Sequence, residues 1–230
     1  MTEKECRNRL IGWLETIEKD ITDLAIDAHV FWEIQELFKN NKELRETPSI
    51  INQWMASAFI QSTAVGIRRL TDKGSRSISF YRVLTELQKD PSLASRAYHV
   101  SLYHNGSFPR ESADDLGNNT YDKIFGVGVA EPSPAQLQTD IAKLAAPVQT
   151  INKYVNKRIA HYDEREFTAI PKFDDLTECL AVFEELLKKY KLVLTAKSLP
   201  SVLPTFQYDW KAAFRIPWLP ITEPESEGRA

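Results

Sequence analysis

Two clusters of charged side chains stand where helices of this chain should end. RRLTD carries Arg68, Arg69 and Asp72. NKYVNKRIAHYDER, residues 152–165, carries Tyr154, Asn156, Lys157, Arg158, His161 and Asp163. Within them His161 is the group able to exchange a proton near neutral pH. Arginine is rarely buried without a partner, so two such clusters on otherwise apolar helix faces predict a polar site at one end of the core, provided the two helix ends meet. A plainer explanation competes with this. Cations near a helix C-terminus gain ~0.3–1 kcal/mol each from the helix dipole, and an arginine can simply pair with a nearby aspartate. His161 is then either a helix cap or a catalyst.

The elements that must position these groups follow from periodicity. TEKE at residues 2–5 is a capping box. Behind it Leu10, Leu14, Ile17, Ile21, Leu24, Ala28, Phe31, Gln35 and Phe38 step by three and four along one long helix to about Asn40. Thr47-Pro48 reads as the start of a second helix, with Ile51, Trp54, Met55, Ala58, Ser62 and Val65 inward and Gly74 as its stop. Extending that stripe makes Arg69 inward as well, three residues from Asp72 and close enough to pair. Ser77 or Ser79 caps a short helix, and Asp90-Pro91 opens another that runs to about His104. A long helix from Ser133 to about Ala160 carries Leu137, Ile141, Leu144, Val148, Ile151 and Val155, with a kink at Pro147. Arg158 lies seven residues after Ile151, almost on the stripe centre, with His161 and Tyr154 together on one flank. A last helix, capped by Asp174, turns Leu176, Leu180, Phe183, Leu187 and Tyr190 inward.

The class is therefore all-α, a bundle of five to six helices over residues 1–198. Residues 105–133 hold four of the eight glycines and read as an irregular insertion. Residues 199–220 form a Pro- and Trp-rich strap that should pack on the bundle through Trp210, Phe214 and Trp218. Residues 221–230 read as a disordered tail.

Composition narrows the functional classes. A net charge of −3 over 230 residues is not that of a protein binding nucleic acid with its whole surface, so any such contact is local. Cys6 and Cys179 are too few for a disulfide framework, and without a signal peptide or a membrane span the expectation is a cytoplasmic protein. No phosphate-binding glycine loop, dinucleotide fingerprint, H-E-x-x-H or G-x-S-x-G occurs. The histidines at 29, 99, 104 and 161 lack metal-ligand spacing, so neither metal nor cofactor is expected. His99 and His104 read as ordinary helix residues.

Three blocks then carry a resemblance. WMASAFIQSTAVGIRRLTDKGSRSISFYRVL at 54–84, VNKRIAHYD, and YDWKAAFRIPWLP in the strap resemble, in that order, the HEPN superfamily, and within it the abortive-infection AbiU-like branch. The resemblance implies a helical, typically dimeric protein of bacterial phage-defence or toxin–antitoxin systems, with RNA or a nucleotide as ligand and an antitoxin as a further partner. It implies metal-independent endoribonuclease chemistry, with His161 as general acid/base and an arginine stabilising the phosphorane charge. The superfamily's arginine falls on Val155 here, and its polar residue on Asn156. Arg158, or Arg68 or Arg69 from across the site, must then supply the guanidinium. The supporting set is Asp72, Asn156, Tyr154, Lys157 and Asp163. The alternative is a non-catalytic scaffold or a nucleotide- or partner-binding module.

Overall fold

The computed structural model describes residues 2–47, 49–105, 109–159 and 171–218. Helix α1 (Glu3–Asn40) is the spine, 38 residues and about 57 Å long. Its capping box is formed as expected: the Thr2 hydroxyl accepts from the Glu5 N–H, and the Glu5 carboxylate accepts from the Thr2 N–H. Leu10, Leu14, Ile17, Ile21, Leu24 and Phe31 are its buried line. Beyond Phe31 the α1 residues are half-buried or exposed. The short α2 (Lys42–Glu46) turns the chain into α3 (Ile51–Leu70), which returns antiparallel to α1. α4 (Phe80–Lys89) is capped by Ser79, whose hydroxyl accepts from the Arg82 N–H.

The central bundle is α1 flanked by α3 and by α9 (Phe173–Thr195), while α4 packs on α7 (Pro134–Ala145) and α7 on α9. Among the described residues six helices have ten residues or more, no strand occurs, and no helix is long and apolar enough to cross a membrane. The all-α bundle expected from periodicity is the fold.

Several expectations change. Residues 105–133 are not wholly irregular: α6 (Arg110–Phe125) lies among them and packs on α5 (Arg96–Ser101). α6 holds on by one narrow line, Ala113, Gly117, Tyr121 and Phe125. At Gly117 the two helices touch: a Cβ there would stand 2.9 Å from the Val100 Cα. The helix expected over 91–104 is three short pieces, 3-10 at Pro91–Ala94, then α5, then 3-10 at Leu102–Asn105. The long helix expected over 133–160 breaks at Pro147 rather than kinking, into α7, α8 (Gln149–Tyr154) and a π-turn (Val155–Ile159). A proline there removes an N–H and crowds the preceding turn. α9 starts at Phe173 with Lys172 as its cap, whose N–H is taken by Asp175, so Asp174 is not the cap. Thr47 ends α2 instead of starting α3, which begins three residues past Pro48.

In the C-terminal segment Phe206 stacks on His29 at 5.2 Å, the Trp210 ring meets His29 edge-on, and Lys211 pairs with Glu33. Tyr208 and Trp218 stay exposed. The tail expected to be disordered lies outside the described residues.

Candidate functional site

The inward face of α3 decides the geometry of the site, and it is not the one the apolar stripe marks. Phe59, Thr63, Ala64, Gly66, Ile67 and Leu70 are buried, whereas Ile51, Trp54 and Val65 are 46%, 63% and 43% exposed. The reason is close helix contact. A Cβ on Gly66 would lie 2.7 Å from a Leu24 methyl, so α3 approaches α1 along its smallest residues. The stripe with Ile51, Trp54 and Val65 is left facing outward.

Arg69 turns outward with that stripe. It does not pair with Asp72. Its guanidinium meets Asp20 of α1 at 3.0 Å, and Asp72 is instead partnered by Arg68 at 3.4 Å. The Gly74 N–H, and then the Arg68 guanidinium, hold the Asp72 carboxyl below the ordinary aspartate range. Asp72 and Arg68 therefore fasten the turn that follows α3. The Asp72 carbonyl also accepts from the Ser79 hydroxyl at 2.5 Å, tying that turn to the start of α4.

Around Arg69 is a cleft of about 450 Å³. Asp20, Asp23 and Asp27 of α1 form one wall, Gln61, Ser62 and Val65 of α3 the other, and Ile159 of the π-turn also lines it. The end of α3 and the VNKRI segment thus share one cleft. Partial desolvation, then the neighbouring Asp23 charge, raises the Asp27 carboxyl above its ordinary value. Asp20, Asp23 and Asp27 were missed in the sequence, although their spacing of three and four on one helix places them on a single face. Against these three acids, one cation, Arg69, stands among the described lining residues, and it is already paired with Asp20.

The VNKRI segment is wound as a π-turn, a rare form that recurs at functional sites. Val155 is 6% exposed and sits in the core, so no phosphate can reach that position. Ile151, Val155 and Ile159 continue the inward line. Arg158 is off its centre and half-buried, Asn156 is exposed, and Tyr154 and Lys157 are partly buried. Arg158 has no carboxylate partner among the described residues, unlike Arg68 and Arg69. His161 and Asp163 lie outside the described residues.

The other ionisable candidates are accounted for structurally. His99 is fully buried, with its Nδ1–H donating to the Val193 carbonyl at 2.9 Å. His104 meets Asp114 at 2.6 Å. Burial pushes the Cys179 thiol up to about 12, which rules out a thiolate nucleophile at neutral pH. Among the described residues no three His, Cys, Asp or Glu side chains gather as metal ligands.

Comparison with known proteins agrees with this architecture. The model of one family, HEPN_AbiU2, described as AbiU2, matches residues 7–212. No curated protein and no solved structure matches the chain. The match runs from the first turns of α1, through both charged clusters, into the C-terminal segment, so the chain belongs to the AbiU2 family of HEPN proteins, an abortive-infection-type family.

Proposed function

We propose that this protein is a metal-independent endoribonuclease of a phage-defence or toxin-type system, acting as a homodimer and restrained by an antitoxin partner. The observation that carries the proposal is Arg158. It stands in a π-turn beside the cationic end of α3, and among the described residues it has no carboxylate partner. A guanidinium not already committed to a carboxylate is what binding a phosphodiester needs. In this reading His161 takes the 2′-hydroxyl proton and the 2′-oxygen bonds to phosphorus. The bond to the 5′-oxygen breaks, and that oxygen leaves with a proton, giving a 2′,3′-cyclic phosphate and a 5′-hydroxyl end. Arg158 neutralises the charge gathering on the phosphorane oxygens. Asn156, Tyr154, Lys157 and Asp163 orient His161 or the phosphate. Arg68 and Arg69 with Asp72 support the end of α3.

A second reading, a non-catalytic module that binds a nucleotide or a protein partner, draws on two observations. Val155, where the resemblance puts the superfamily's arginine, is buried in the core, and the described lining of the neighbouring cleft is acidic, which repels a phosphodiester.

The test is RNA cleavage by purified protein in EDTA, comparing wild type with His161→Ala and Arg158→Ala. Cleavage that survives EDTA and is lost in both variants is the expected result. Loss in the His161 variant alone moves the arginine's role to Arg68 or Arg69. A folded wild type that cleaves none of several RNAs overturns the nuclease reading in favour of the binding module.

A further inference from the structure

Among the described residues the outward face of α3 has no partner within the chain. Ile51, Trp54, Ala58, Ser62, Val65 and Arg69 follow one another at intervals of three and four, so they form a single seam about 27 Å long. Seams of this spacing are what a second helix packs into. Its centre, Ala58 and Ser62, is small enough for close approach, and its large groups stand toward the ends. Ile50, 80% exposed, extends the apolar surface past the start of the helix.

Charge along the seam is unevenly spread, and this identifies the occupant. At the α3 C-terminal end lies the acidic cleft, whose Asp23 and Asp27 have no ion-pair partner among the described residues. At the opposite end is the tip where α1 turns through α2 into α3. There Lys39 is paired with Glu36 and Lys42 with Glu46, but Arg45 donates only to the Lys39 carbonyl and has no carboxylate partner among the described residues. Arg45 and Asn52 line one cavity at this tip, so Arg45 stands level with the first turn of α3. Arg69 and Asp20 are level at the other end, as are Gly66 and Leu24 one turn earlier.

We infer that the outward face of α3 is a two-fold interface, with α3 of a second copy lying antiparallel across it and the Arg45 of each copy seated at the acidic cleft of the other. Crossing at Ala58 and Ser62 brings residue 51 of one copy opposite residue 69 of the next. The tip cation then arrives beside Asp20 and Asp23. A second copy satisfies this surface because it supplies the apolar seam, the unpaired cation and the unpaired acids together. The inference rests on the homodimer part of the proposed function and is independent of RNA cleavage.

The experiment is sedimentation equilibrium of the full chain. Wild type is expected to be a dimer at micromolar concentration. Trp54→Glu is expected to give a monomer with unchanged helical circular dichroism, since Trp54 is 63% exposed and supports no core among the described residues. Arg45→Glu and Asp23→Arg should each raise the dissociation constant by about tenfold or more, and the double charge swap should recover most of the loss. A monomeric wild type overturns both the homodimer and the interface. A dimer whose dissociation constant ignores Trp54→Glu leaves the homodimer standing and overturns this face. Failure of the charge swap to recover affinity overturns the seating of Arg45. Ribonuclease activity is scored separately, so its absence has no bearing on any of these outcomes.

Discussion

The α5–α6 corner and the α1–α3 cleft both set an arginine between aspartate and helix ends, and they use it in opposite ways. At the corner Arg96 is consumed. Its side chain donates to the Val129 carbonyl at 2.7 Å, to Asn118 at 3.2 Å, to Asp122 at 2.5 Å and to the Gly126 carbonyl at 3.2 Å, with the Tyr121 ring beneath it. Its own N–H reaches the Ala130 carbonyl. This one residue fastens the segment after α6 to the body. In the cleft Arg69 makes a single exposed ion pair, and Asp23 and Asp27 beside it make none among the described residues. The Arg96 groups, shielded from water, find their partners within the protein and make a structural joint, whereas the exposed acids of the cleft keep their water and tie no segment down.

That contrast breaks if the two arginines prove equally important to stability. Arg96→Ala should cost about 3 kcal/mol, because it strands Asp122 and several carbonyls that are shielded from water. Urea unfolding followed by circular dichroism measures this, and a loss under about 1 kcal/mol would show that the corner is held by apolar contact alone. A medium effect is expected at His99, behind the same corner. Its Nε2 is buried and has no partner among the described residues, and burial lowers its pKa below the ordinary histidine value. Below about pH 6.5 the unfolded chain binds a proton that the folded chain refuses. Stability therefore falls as pH drops through that value, until the folded histidine also protonates. Comparing pH 7 with pH 5, His99→Gln should lose this component of the slope, and an unchanged slope would assign it elsewhere. The smallest effect belongs to Arg69→Ala, which should alter stability by no more than about 0.5 kcal/mol, as exposed ion pairs usually do. A larger loss would make the cleft a joint like the other.

Much of this was legible in the chain, for physical reasons that differ by region. The α1 line could be read because each buried position carries a large apolar side chain and the Thr2 capping box marks its start, and Ser133 likewise marked the start of α7. α3 misled because large apolar residues stand on both faces, Ile51, Trp54 and Val65 outward and Phe59, Ile67 and Leu70 inward, while the small Thr63, Ala64 and Gly66 that bring the core face close to α1 carry no such signal. α6 was hidden because a glycine stands in a line of only four inward residues. The two charged clusters were found, but not their partners. Arg69 and Asp20 are 49 positions apart in the chain, and that pairing depends on how α1 and α3 cross rather than on local spacing.

The π-turn at Val155–Ile159 has a consequence for the length of this segment. A π-turn accommodates one residue more than an α-helix would need over the same turn. In unbroken α-helical register, residue 158 would follow Ile151 and Val155 on the inward line, and an arginine would be driven into the core. The wider turn gives that place to Ile159 and leaves the guanidinium at the rim. The segment is thus sensitive to counting as well as to composition: shortening it by a single residue, with every side-chain type retained, would exchange which groups face oil and which face water.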